Sequence, residues 1–298
     1  LKKIYKFRID TKLLWQEIKY YSIGMYNKFD DDHIWIISSG IAFNLLICAI
    51  PFTLILFSVL GIYFSSENTS SNIDSFLNTA IGLSPDMKLK LKVVILSKVT
   101  EISSNKTLTA VIGIIGILWT ASGLFSTIRS VLNRIYKIHL EVFYLWGKLK
   151  DIGMVLLSTV LFILSFASTT IISLMKAFDS KFFNNTLFSF GFIEQFITYI
   201  SGFLFSFLMF WVIHRLVPHG KINSRVVMIS SLSSTVLWEA LKILFTAYLV
   251  NFSDFTAVYG AYAAIVAVVF WIYYSSVIFV IGAELGQLFI EKRLIKTI

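Results

Sequence analysis

The chain has 298 residues, 57% of them hydrophobic and only 14% charged, with 26 Lys and Arg against 17 Asp and Glu. Its mean hydropathy is +0.79, whereas a soluble domain carries about 25% charged residues, so a soluble globular protein is excluded. The single cysteine, Cys48, leaves no disulfide framework and no thiolate metal site to build.

Taken in chain order, residues 1–33 form a basic N-terminal segment. Leu14, Ile18, Tyr21 and Met25 recur at spacings of 4, 3 and 4, with Lys12 and Lys19 nearby. That pattern predicts a helix, either lying on the inner membrane surface or packed under a bundle. The first apolar run starts at Ile34 and is too long for a signal-peptide core, so no cleavage is expected.

Residues 34–290 read as six spans, at about 34–64, 108–128, 152–175, 196–213, 226–252 and 257–290. The first and last exceed the roughly 20 residues needed to cross a bilayer and must tilt, kink or project into water. Pro51 is the expected bend in the first. The connection Ser65–Thr107 holds Ser84-Pro85-Asp86, a helix-start pattern, followed by Leu89, Val93 and Leu96 on one face. A helical external cap is therefore expected there. Residues 291–298 form a short tail.

The positions of Lys and Arg orient the bundle. The N-terminal segment, the second connection, the fourth connection and the tail hold 18 of the 26. By the positive-inside rule both termini are cytoplasmic. The surplus of basic residues is thus a topology signal, and no nucleic-acid partner is expected.

Polar residues inside the spans carry the functional reading. In the fifth span Ser231, Thr235, Glu239, Lys242 and Thr246 lie on one helix face, at spacings of 4, 4, 3 and 4. Each of the two charges costs roughly 2.5–3.5 kcal/mol on insertion scales. Three residues apart, they can pair. Such a pair serves either as a lock on helix register or as part of a polar path, to which Asn44 of the first span is added. In the second span Gly113, Gly116, Thr120, Gly123 and Thr127 form a small-residue stripe, and in the first Gly40, Asn44, Cys48 and Pro51 do the same. Small residues let helices approach closely, so Gly113, Gly116, Gly123 and Pro51 are read as packing positions. Glu284, late in the sixth span, is expected to meet Arg129 or Arg134 at the inner end of the second, with Asn133 as a further polar partner.

Several motifs resemble the YihY/BrkB family of bacterial inner-membrane proteins, once mislabelled ribonuclease BN. SGIAFNLLICAIPF (Ser39–Phe52) is similar to its first-span pattern, and LWTASGLFSTIRSVLNRIY (Leu118–Tyr136) to its second. HRLVP (His214–Pro218), LWEALKILFTAY and YGAYAAIVAVVFWIYYSSVIFVIGAEL match later stretches. The chain departs from the pattern at Cys48, where serine is common, and at Asn44 and His214, where tyrosine is common. The resemblance covers about Asp31 to Leu288. It implies a six-helix bundle in the cytoplasmic (inner) membrane with both termini inside, and links the chain to proteins proposed to move lipid-linked envelope material.

Enzymatic function finds little footing. DDDH (Asp30–His33) is the one candidate metal cluster, but it directly precedes the first span, where Asp32 suits a helix cap. His214 and His219 flank Pro218 without acidic partners. No phosphate-binding glycine loop or nucleophile elbow is present. No catalytic residue, metal or cofactor is expected. The reading is an all-α, six-span membrane protein, with an N-terminal interfacial helix and a helical external connection, that carries an amphipathic or lipid-like compound. Its partners are membrane lipids and that substrate; the sequence says nothing of oligomeric state. A small-solute channel and a non-transporting assembly factor are the alternatives. Reporter fusions after Lys28, Lys148, Lys221 and Lys296 should read cytoplasm, and fusions near Asn72, Asn185 and Asp254 the outside. One reversed connection would break the six-span count.

Overall fold

A computed structural model of the chain describes residues 11–63, 93, 106–140, 143, 145–161, 191–251 and 261–295. Among them are seven helices: α1 (Thr11–Asp31), α2 (Ile34–Tyr63), α3 (Lys106–Ile135), α4 (145–161), α5 (Gly191–Leu216), α6 (Ser224–Asn251) and α7 (Ala261–Ile295). Five of them, α2, α3, α5, α6 and α7, are long and apolar enough to cross a membrane. Most of the expected third span, and the expected external cap, lie outside the described residues.

The helices end where local chemistry ends them. Asn223 starts α6: its backbone carbonyl accepts from Val226 and Val227, and its side-chain Oδ1 accepts from the Arg225 amide at 3.0 Å. α3 runs seven residues past the expected boundary at 128. Ile128, Val131, Leu132 and Ile135 continue a buried stripe beyond the first charge, Arg129. It closes with a paired carbonyl cap, Lys137 N–H to Arg134 and Ile138 N–H to Asn133, with Lys137 at φ 54° in the position where glycine is usual. Between α1 and α2 only Asp32 and His33 intervene. Asp32 does not cap α2. Its carboxylate turns back to Lys28 at 3.4 Å. The carbonyl of His33, at φ 51°, receives the first amides of α2 instead.

The chain divides into two compact units, one of residues 1–42 and 125–298, the other of 43–124. In the first, α6 packs against both α5 and α7, and α1 against α7. The α6–α7 seam changes character along its length. At one end Gly282 and Gly286 face Ser234 and Ser230. A Cβ at Gly282 would stand 2.9 Å from the Ser234 backbone nitrogen, and one at Gly286 3.0 Å from the Val226 carbonyl oxygen. Backbone touches side chain there with no room for a methyl group. Further along, Trp238 packs tilted on Trp271 (ring centroids 5.1 Å apart) and Phe245 likewise on Trp271 (4.7 Å), while Phe210 of α5 meets Trp238 edge-on at 6.2 Å. Large rings there hold the three helices where small residues no longer do.

α1 runs antiparallel to the end of α7. Lys28 pairs with Glu284, Gly24 packs on Leu288, and Glu17 pairs with Lys292. These contacts pack α1 on α7, while Trp15, Ile23 and Tyr26 stay exposed. In the second unit, the small-residue stripes of α2 and α3 face each other. A Cβ on Gly113 would lie 2.8 Å from Ile55, one on Gly116 3.0 Å from Pro51, and one on Gly123 3.5 Å from Asn44 Oδ1. Gly282→Leu or Gly286→Leu should cost more than the about 1–3 kcal/mol of ordinary overpacking, because backbone atoms must part. Leu at Gly153 or Gly202, where a Cβ meets nothing within 4 Å, is the control. Purified yield and thermal unfolding in detergent should separate the two pairs of variants.

Candidate functional site

The polar stripe of α6 splits in two. Ser231 and Thr235 are fully buried. Each hydroxyl donates to a carbonyl one turn back on its own helix, Ser231 to Val227 at 2.6 Å and Thr235 to Ser231 at 2.7 Å. They present no free polar atom to a passing molecule. Beyond them Glu239 and Lys242 form an ion pair at 2.7 Å. Their side chains remain 29% and 40% exposed, respectively, near the middle of a helix that otherwise reads as membrane-spanning. The Ser206 hydroxyl of α5 donates to Glu239 Oε1 at 3.4 Å, placing the pair at the α5–α6 seam. Thr246, one turn on, is exposed, with its hydroxyl on the Lys242 carbonyl at 2.8 Å. Asn44 lies in the second unit, its Oδ1 3.5 Å from where a Cβ on Gly123 would stand.

The expected inner-end residues do not form one cluster. Glu284, fully buried, meets Lys28 of α1, whose Nζ lies 2.8 Å from Oε2. Arg129 turns to Asp151, in the second turn of α4, and also donates to the Gly147 carbonyl at 3.0 Å. Both partners are buried. Asn133 Oδ1 accepts from the His219 amide at 3.1 Å, fixing the α5–α6 loop. Arg134 is exposed. Lys150 donates to the Pro218 carbonyl at 2.7 Å, and Arg215 to that of Ile222 at 2.6 Å. Burial pushes the Asp151 carboxyl up from its ordinary value, against the pull of Arg129, Lys148 and Lys150. Burial pulls Lys150 down, and Arg129 adds repulsion. Around Asp30–His33, Asp32 is engaged with Lys28 while Asp30 and Asp31 are exposed. Among the described residues no three His, Cys, Asp or Glu side chains converge to hold a metal ion.

Sequence reasoning missed Lys28, Asp151, Ser230, Ser234, Gly282 and Gly286. Two signals were there to read. Lys28 continues the stripe Tyr21–Met25 by three more residues, so a lysine falls on the packed face. GAELG holds two glycines four apart, the spacing of one helix face.

The virulence factor BrkB family matches residues 25–296. The chain belongs to the BrkB family. It is similar to UPF0761 membrane proteins of Alteromonas mediterranea (22% identical, 88% of this chain and 86% of that protein), Psychromonas ingrahamii (24%, 89% and 85%) and Pseudoalteromonas atlantica (23%, 93% and 91%). No solved structure matches the chain. It is a multi-pass membrane protein of that family.

In this BrkB-family chain the Arg129–Asp151 pair holds α4 to α3. Arg129→Met leaves a buried carboxylate without its partner and should cost about 3–5 kcal/mol. The double variant Arg129→Met/Asp151→Leu removes both charges and should regain most of the loss. Thermal unfolding of the purified proteins tests the difference.

Proposed function

We propose that this protein moves an amphipathic, lipid-like envelope compound across the bacterial cytoplasmic membrane along the α5–α6 seam, without catalysing a reaction. One observation carries this reading: an ion pair midway along α6 that stays part-exposed instead of being sealed between helices. A pure register lock is best served by burial, since exposure weakens the pair and lets it exchange partners. An exposed pair at membrane depth is costly unless it meets a polar group. A headgroup carrying charge satisfies that need while its apolar tail stays against the exposed faces of Ile243 and Leu244. The path begins at Glu239. Ser231 and Thr235 close it on one side because their hydroxyls are already committed.

The proposed orientation places both termini in the cytoplasm, with six spans. The count of basic residues supports it, and so do the ties among the basic connections. Lys137 reaches Glu291 near the tail at 2.9 Å, Lys150 reaches the α5–α6 loop, and Lys28 reaches Glu284. The N-terminal segment, the second and fourth connections and the tail thus meet at one end.

The test is purified protein in liposomes, scored separately for movement of labelled lipid between leaflets and for solute leak. Glu239→Gln/Lys242→Gln should fold with wild-type stability and lose lipid movement at least tenfold. A double variant with full lipid movement would sink the path. Solute leak without lipid movement, lost in the same variant, would make the protein a small-solute channel.

A further inference from the structure

Away from α6, the inner end of α7 holds a set of charges that do not balance. Three carboxylates gather on Lys28: Glu284 at 2.8 Å, Asp32 at 3.4 Å and Glu291 at 3.7 Å. The further cation in the set is Lys137, 2.9 Å from Glu291 and largely exposed. Among the described residues three acids stand against two lysines, which leaves room for one more positive charge. Tyr20 of α1 lies within electrostatic reach of Glu291, Lys292 and Lys28, Gln287 donates to Glu291 at 3.2 Å, and Tyr136, beyond α3, lies within reach of Glu284.

Glu284 differs from the other two acids. Its side chain is 0% exposed, against 27% for Asp32 and 25% for Glu291, and its Oε1 has no hydrogen-bond partner. A carboxylate taken fully out of water pays the largest penalty for its charge. Tyr136 cannot relieve it as an acid: burial pushes its phenol up, with only the Ser230 hydrogen bond opposing, and its hydroxyl already donates to Ser230 at 3.0 Å. Lys28 does not give up its proton either. Burial pulls it down, but the hydrogen bond to Glu284 and the charges of Glu284, Glu291 and Asp32 more than reverse that, leaving it above the ordinary lysine value. A lysine raised in the fold is charged throughout the neutral range and titrates only at strongly alkaline pH. Neutralisation therefore falls on an acid.

We propose that Glu284 is an exchangeable-proton site, and that its protonation moves Lys28 onto Asp32 and Glu291 and loosens α1 from α7. The geometry supplies both states. With Glu284 ionised, Lys28 bridges α1 to the buried side of α7. With Glu284 protonated, Lys28 keeps two carboxylates already within 4 Å, so no buried ammonium is orphaned. The proton comes from water at the cytoplasmic end and bonds to a carboxylate oxygen; nothing else is made or broken. α1 then loses its one tie to the buried side of α7 and is left with Lys28–Glu291, Lys292 on Glu17 and over the Tyr20 and Tyr21 rings, and the Gly24–Leu288 contact. The proposal stands apart from the Glu239–Lys242 path and survives its failure.

The experiment uses the full chain in nanodiscs, with Cys48→Ser as background and spin labels at Ile23→Cys and Arg293→Cys, both exposed. Infrared difference spectra follow the carbonyl stretch of a buried carboxylic acid over the same pH series. On acidification the band should appear as the short label-to-label distance is lost, with one shared midpoint. Glu284→Gln should abolish the band and show the long distance at every pH, while Glu291→Gln keeps the band. Lys28→Gln leaves Glu284 without its cation, and the band should then be present already at neutral pH. This last variant also serves if Glu284→Gln does not fold. A band that survives Glu284→Gln, a distance that ignores pH, or no neutral-pH band in Lys28→Gln overturns the proposal.

Discussion

The backbone of α7 lies against the hydroxyl edge of α6, where Gly282 and Gly286 meet Ser234 and Ser230. At those two glycines no side chain larger than a hydroxymethyl fits between the helices. In a lipid environment helix association draws little from the hydrophobic effect, because the tails are as apolar as the side chains; close van der Waals approach carries it. That approach sets the rotation of α7. Two residues advance a helix by about 200°, so Glu284, midway between the glycines, points away from the seam. Lys28 of α1 meets it there, and the antiparallel docking of α1 follows from the same rotation.

The charges around Arg129 and Glu284 are arranged as pairs and ties between separate elements. Arg129 binds Asp151, Lys137 binds Glu291, and Lys150 takes the Pro218 carbonyl. A buried pair adds little net stability over an apolar contact of equal volume, yet loss of one partner is expensive. Their effect is to reject wrong arrangements. A helix turned by one residue would strand Asp151 or Glu284 without a cation. The small-residue seams set distance, and the charge ties set rotation and register.

Along α6 one polar face passes from a sealed environment to an open one. Ser231 and Thr235 turn their hydroxyls onto their own backbone, which lets polar residues line a tight interface without outside partners. Glu239 and Lys242 have no such internal solution. They satisfy each other and remain open at the α5–α6 seam. The same sequence spacing thus yields packing residues at one end and a candidate binding element at the other.

Hydropathy is a sum over neighbours in the chain, so the sequence by itself determined that the protein lives in a membrane and where its long apolar helices run. The helix of the fifth span, expected at 226–252 and found at Ser224–Asn251, shows how local that information is. It also placed Glu239 and Lys242 on one face, because three residues make nearly one helical turn. Which charge meets which was decided only in the tertiary structure. Arg129, Arg134 and Lys28 offer Glu284 the same positive charge, and nothing local ranks them. Lys28 reaches it from 256 residues away, because α7 turns its small face to α6 and its carboxylate toward α1. The exposure that separates Ser231 from Glu239 was likewise settled between helices. Spacing fixes a residue's direction on its own helix; what stands in that direction is a property of the packed bundle.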